Sequence, residues 1–324
     1  MSDSPGRCGR WEEFMPLVDG REVLGRAAAE GFAIPALNFH SLDMVRALLE
    51  VAEAERSPLI LQASAGTVAF LGFDAIEAIV PKLARRCRVP VVLHLDHTRD
   101  FGLVVGALRH GFTSVMADGS SLSFEDNVSL TAKVAEAAHA AGVAVEGELG
   151  YVPRAADPAH GDADGDPAPG RPLGVPCAGD PADGGGVTAP EGYEFTLPEQ
   201  AEEFVARTGV DSLAVAVGTV HGVYREAPRL DLERLAAIRA RVPVPLVLHG
   251  GSGVPAKMLQ AAIARGVAKV NFATELKHAW AGALRAALAG NGGTDPRKVL
   301  APALKALQEE ATRKIRLCGA HGRA

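Results

Sequence analysis

Cysteine is scarce and scattered. The four cysteines (Cys8, Cys87, Cys177 and Cys318) in 324 residues form no CxxC pair, which argues against a disulfide framework and a thiolate metal site. A reducing cytoplasm is the expected compartment. Aromatic residues make up only 5% of the chain, too few to suggest stacking platforms for bases. Basic charge is not in excess: the formal net charge is −6, so there is no electrostatic footprint for nucleic acid. No segment reaches the about 18 uninterrupted apolar residues of a membrane span, and the N-terminus carries no signal-like apolar region. No GxGxxG follows the first apolar run, which speaks against an open dinucleotide-binding sheet.

What the chain does have is a repeated unit. Short runs rich in Val, Ile and Leu recur at 33–39, 58–64, 89–96, 113–118, 144–150, 211–218, 244–251 and 268–274. Between most of them lie amphipathic stretches at helical spacing, such as 42–55, 127–142 and 198–209, and further helices are expected at 275–289 and 295–317. Runs apolar on both faces, alternating with helices, indicate a parallel sheet. Eight such units predict a closed (β/α)8 TIM barrel, and the length suits a single barrel of about 250 residues with insertions.

Each run ends in a polar residue: Asn38, Ser64, Asp96 with His97, Asp118, Glu148, His221 just beyond "AVAVGTV", His249 and Asn271. In a barrel these ends share one face, where the βα loops build the active site. Among the ten histidines, His110, His139, His278 and His321 fall in helical or terminal contexts, His160 in a loop and His40 just after the first strand. His94 has the strand phase of Asp96 and reads as a hydrogen-bonded core histidine. That leaves His97, His221 and His249, one after each of the third, sixth and seventh strands. Three imidazoles converging from separate loops suit a zinc ion with one position open to water or substrate. "GTVHG" (218–222) and "HGGSG" (249–253) set glycines beside two of these histidines, and "GSGVPAKMLQ" leads into a helix with Pro255 at its first turn. Such a loop offers backbone N–H groups and a helix dipole to a phosphate.

The stretches "LHLDH", "GFTSVMADGSSLSFEDNVSLTAKVAEAAHAAGVAVEGELG", "DSLAVAVGTVHGVY", "PLVLHGGSG" and "GVAKVNFATELKHAW" resemble, in order, the class II zinc-dependent ketose-bisphosphate aldolases. The resemblance runs from about Met15 to the C-terminus and implies one barrel domain over 15–324. It implies that His97, His221 and His249 hold Zn²⁺, which stabilises the enediolate left when the C3–C4 bond of a ketose 1,6-bisphosphate breaks. It implies that Asp96 exchanges the proton of the C4 hydroxyl. Asn38, Ser64, Gly222, Gly250, Gly251, Ser252, Asn271 and Thr274 match positions that contact substrate or its phosphate. Asp118 and Glu148 match outer or alternate metal positions, with a buried carboxylate paired inside the barrel as the other reading of Glu148. The resemblance further implies a homodimer or homotetramer, and a monovalent cation (Na⁺ or K⁺) near the phosphate loop.

The chain departs from the family pattern in three places. Residues 1–14 precede the usual start and read as either a disordered extension or a mis-assigned start. Ala273 stands where an aspartate is more usual in the fructose-bisphosphate branch, and "NFATEL" and "CGAHGRA" lean toward the tagatose-bisphosphate branch. The segment 152–192, dominated by Gly, Pro, Ala and Asp, reads as a mobile insertion and lacks the family's Gly-Gly-Glu-like stretch. Asp157, Asp162, Asp164, Asp166 and Glu191 are the stand-ins it offers for a second acid. Two other functions stand beside an aldolase of fructose or tagatose bisphosphate. One is a metal-dependent barrel acting on another phosphorylated sugar, against which "HLDH" lacks an early HxH pair. The other is a non-catalytic metal-binding relative, against which Asp96 is retained.

Overall fold

The computed structural model describes residues 17–152, 195–222, 224, 228–290 and 294–324. The expected extension at 1–14, the segment 152–192 from residue 153 onward, Cys8, Cys177, His160 and the five candidate acids of that segment lie outside the described residues.

Among the described residues, eight parallel strands close into a barrel in chain order. They are β1 (Ile34–Asn38), β2 (Leu59–Ser64), β3 (Val91–Asp96), β4 (Ser114–Ala117), β5 (Ala144–Leu149), β6 (Ser212–Val215), β7 (Leu246–Leu248) and β8 (Val267–Phe272). The seam pairs β1 with β8, setting Ile34 against Lys269 and Ala36 against Asn271. Every strand is buried almost throughout, as β-branched and leucine-rich runs covered on both faces must be.

Helices wrap the outside: α1 (Gly20–Glu30), α2 (Leu42–Glu55), α3 (Ala65–Leu71), α4 (Phe73–Ala84), α5 (Phe101–Arg109), α6 (Phe124–Ala140), α7 (Pro198–Thr208), α8 (Leu232–Arg241), α9 (Ala256–Ile263), α10 (Thr274–Ala289) and α11 (Pro296–Leu317). Their starts are written in the sequence. Asp19, Ser41, Ser123, Asp231 and Asp295 each accept a backbone N–H at an N-cap, a bond worth about 1 kcal/mol. Ser123 explains why α6 begins three residues before the predicted 127: its Oγ accepts from Asp126 N and closes the first turn there.

One hydrophobic cluster runs from Val23 to Ala320. The strand ends β6 and β7 are shorter than the apolar runs predicted. Past Val215 the backbone leaves the sheet, and Val217 accepts from Asp231 N instead. The apolar pattern continues because the departing segment stays buried. The barrel interior is not wholly apolar. One step below the polar strand ends lies a buried layer holding Gln62, His94, Glu146 and Lys269, each two residues before a predicted site residue and therefore in the same strand phase.

Candidate active site

At the ends of the strands, Asp96 is the hub. Asn38 Nδ2 donates to Asp96 Oδ2 at 3.0 Å and Asn271 Nδ2 to Oδ1 at 3.3 Å. Gln62 Nε2 in turn donates to Asn38 Oδ1 at 3.0 Å, fixing that amide's orientation. Ser64 lies opposite Asp96 in the register, its Oγ capping α3 through Thr67 N.

His97, the next residue, sits at φ +37°, a left-handed conformation that costs a non-glycine residue about 1–3 kcal/mol and that marks functional sites. The turn swings its ring across the barrel mouth. Its Nδ1 meets Asp118 Oδ2 at 2.8 Å and lies 3.5 Å from Glu148 Oε2. Its ring centroid is 5.0 Å from that of His221 and 4.6 Å from that of His249. One nitrogen from each of the three rings falls within 4.8 Å of the others. His249 follows β7 directly. His221 does not follow β6 directly, as predicted; it is carried out on the loop beyond Val215, and Gly222 follows it at φ +99°.

That loop is tied to the next by a residue the sequence reading passed over. Tyr224 Oη accepts from Val220 N at 3.0 Å and donates to Gly250 O at 2.8 Å. Gly250 has φ +63°, and a Cβ there would lie 2.3 Å from Val220 O. The glycine is demanded by the contact between the loops. The N–H of Gly251 is taken by Asn271 O at 3.1 Å, and a Cβ there would lie 2.4 Å from Val270 Cγ1, so this glycine packs against β8 and has no free donor. Thr274 opens α10.

Burial sharpens the electrostatics. Burial raises Glu148, and the adjacent Asp118 adds to it, so its carboxyl stands well above the usual range. For Asp96, burial opposes ionisation, but the charge of His97 and then Lys269 holds it down to about 2. His97 is opposed by burial and nevertheless pushed up to about 10 by Asp96 and Asp118. His249 shifts the other way, lowered by burial and then by the charge of His97.

Among the described residues, five buried side-chain atoms that make no hydrogen bond, Glu148 Oε2, Thr219 Oγ1, His249 Nδ1, Ser252 Oγ and Asn271 Oδ1, lie at the C-terminal ends of β5–β8 or in the loops that follow. Buried polar groups are nearly always satisfied, so this concentration marks where a ligand belongs. Imidazole nitrogens backed by carboxylates are a donor set for a borderline divalent cation, zinc above all. A second group, His97 with Asp118 and Glu148, also meets the spacing for a cation.

Residues 18–323 match the sequence profile described as fructose-bisphosphate aldolase class-II. The chain belongs to that family. It is an aldolase, a carbon–carbon lyase. The aldolase superposes on the YdjI aldolase from Escherichia coli K12 with a TM-score of 0.78 at 32% identity, covering 95% of this chain and 99% of that one. It also superposes on the fructose-bisphosphate aldolase Fba from Campylobacter jejuni with a TM-score of 0.76 at 26% identity, covering 96% and 98%.

In the aldolase, Glu148 is buried, with its Oε2 3.5 Å from His97 Nδ1 and 3.7 Å from His249 Nδ1. Glu146, two residues earlier, is a second buried and paired carboxylate: its Oε2 receives Lys269 Nζ at 2.6 Å and its Oε1 meets His249 Nε2 at 2.8 Å. His94 is the core histidine expected, with Nδ1 on Ser114 Oγ at 2.7 Å and Nε2 3.4 Å from Lys269 Nζ. Burial and then the Lys269 charge bring His94 down to about 3, so it is neutral. Glu146 and Lys269 were missed as site residues. Their signal was a charged residue inside an apolar run, in phase with Glu148 and Asn271.

Proposed function

We propose that this aldolase reversibly cleaves a ketose 1,6-bisphosphate, fructose or tagatose, to dihydroxyacetone phosphate and glyceraldehyde 3-phosphate, with His97, His221 and His249 holding Zn²⁺. Bound there, the zinc supplies a Lewis acid toward the carbonyl and hydroxyl oxygens of the dihydroxyacetone half. Asp96 accepts the C4 hydroxyl proton as the C3–C4 bond breaks. The bonding pair stays with C3 as an enediolate, the aldehyde leaves, and one proton taken up at C3 completes dihydroxyacetone phosphate. Asn38 and Asn271 keep the carboxylate aimed through this transfer. Ser252 Oγ, buried and without a hydrogen bond, receives the phosphate in the loop that Gly250 and Gly251 open.

The observation that carries this reading is the adjacency of Asp96 and His97: a clamped carboxylate beside three histidines whose nitrogens converge within 4.8 Å. A cytoplasmic setting and self-association belong to the same reading. Self-association is supported by α10, which buries only Leu276 while Leu288 stands exposed and Trp280 and Leu284 remain half-covered. Product analysis with fructose and tagatose 1,6-bisphosphates tests the proposal. Equal amounts of the two triose phosphates from one sugar are expected. Absence of cleavage of both sugars by folded, zinc-loaded protein would overturn it.

A further inference from the structure

Behind His249 the barrel interior holds a continuous polar chain. His249 Nε2 meets Glu146 Oε1 at 2.8 Å, Glu146 Oε2 receives Lys269 Nζ at 2.6 Å, Lys269 Nζ lies 3.4 Å from His94 Nε2, and His94 Nδ1 meets Ser114 Oγ at 2.7 Å. Its first four members are each no more than 1% exposed, and it crosses the barrel from β7 to β4. Burying a Glu–Lys pair in a barrel is costly, and an apolar pair of the same volume would serve packing as well or better. The arrangement therefore calls for a reason other than packing.

The reason lies in the hydrogen-bond directions. A carboxylate only accepts, so Nε2 of His249 must carry the proton and Nδ1 must be the lone-pair nitrogen. His249 Nδ1 makes no hydrogen bond and lies 3.7 Å from Glu148 Oε2, and the ring centroid lies 4.6 Å from that of His97. Lys269 occupies the other carboxylate oxygen with an ammonium. That keeps Glu146 an acceptor and stops it from turning a proton toward His249. His97 is backed by Asp118 through its Nδ1, and the Nδ1 atoms of His97 and His249 lie 3.5 and 3.7 Å from Glu148 Oε2.

We propose that Glu146 and Lys269 are a positioning pair that locks His249 in its Nε2–H tautomer and so sets the zinc affinity of the site. This rests on the reading of the three histidines as metal ligands. Neither residue touches the reacting atoms; both act through His249. Outer partners of this kind typically change metal affinity by about 10- to 100-fold.

The test uses the full-length chain in metal-free and zinc-bound forms, with two variants, Glu146→Gln and the double variant Glu146→Gln/Lys269→Met, which removes both charges together. Circular dichroism and thermal melting report folding. Nitrogen-15 spectra of the histidines report the His249 tautomer without metal, and competition with a chromophoric chelator reports zinc affinity. In the native protein, His249 is expected as the Nε2–H tautomer alone. In the variants a mixture is expected, with zinc affinity about 10- to 100-fold weaker. A pair serving only stability would lower the melting temperature in Glu146→Gln, recover it in the double variant, and leave tautomer and zinc affinity unchanged; that result overturns the proposal. The double variant serves if Glu146→Gln alone does not fold. Absence of zinc binding by the native protein would instead count against the metal site itself, while the tautomer readout still decides the positioning claim.

Discussion

Asn38 and Asn271, carried on the two strands that meet at the barrel seam, each donate an amide N–H to Asp96, one to each carboxylate oxygen, at 3.0 and 3.3 Å. The clamp leaves the carboxylate beside His97 with its orientation fixed from both sides. Asp96→Ala is expected to lower kcat by about 10²- to 10⁴-fold, the usual contribution of a positioned acid–base group, while zinc content and melting temperature stay close to native. Asn271→Ala removes one hydrogen bond to a charged group, worth about 1.5–3 kcal/mol, and is expected to lower turnover by roughly 10- to 100-fold. Steady-state kinetics with metal analysis on the same samples check both. Native turnover in Asp96→Ala would remove it from the mechanism.

Tyr224 joins the loop of His221 to the loop of His249 through one hydroxyl. Tyr224→Phe keeps the ring but leaves Val220 N and Gly250 O without that partner. A loss of about 1 kcal/mol in stability is expected. A rise in KM for the phosphorylated substrate should exceed any fall in kcat, because Gly250 lies in the loop proposed to receive the phosphate. Chemical denaturation and a comparison of KM with kcat test this. A kcat effect alone would contradict it.

The barrel was legible because eight runs had to be apolar on both faces, and because helix caps such as Ser41 and Asp295 announced themselves. The site was legible where strand ends carried residues unsuited to packing, as with Asp96, His97 and His249. Glu146 and Lys269 were harder to see. A single charge within an apolar run says nothing about its partner, and that partner is supplied by a strand more than a hundred residues away. Tyr224 was illegible for a related reason, since its role exists only once two loops are side by side. The end of β6 was misplaced because the chain stays buried after it stops being a strand.

Glu55 ties the C-terminal segment to α2. Arg316 donates to both its carboxylate oxygens at 2.9 Å, His321 Nδ1 lies 2.9 Å from Oε2, and Gly322 N donates to its backbone oxygen at 2.9 Å. The hydrogen bond from Arg316 is the main cause that holds its carboxyl below the ordinary value of 4.5, against the opposing effect of burial. A lowered carboxyl stabilises the fold above its unfolded value, and that contribution is lost as pH falls through the folded value. Glu55→Gln is therefore expected to melt below the native protein at neutral pH. The gap should close as pH drops below about 4.5. A gap that persisted or widened in acid would contradict the role assigned to the ionised carboxylate.

In the proposed reaction His97, His221 and His249 hold a metal ion on which carbon–carbon cleavage depends. The test is zinc titrated into chelator-treated protein, with triose-phosphate release followed from the faster of the two bisphosphates. No release is expected without metal, and recovery should saturate at a single zinc per chain. No recovery is expected in His249→Ala. Full turnover by protein shown by elemental analysis to be free of metal would contradict that dependence.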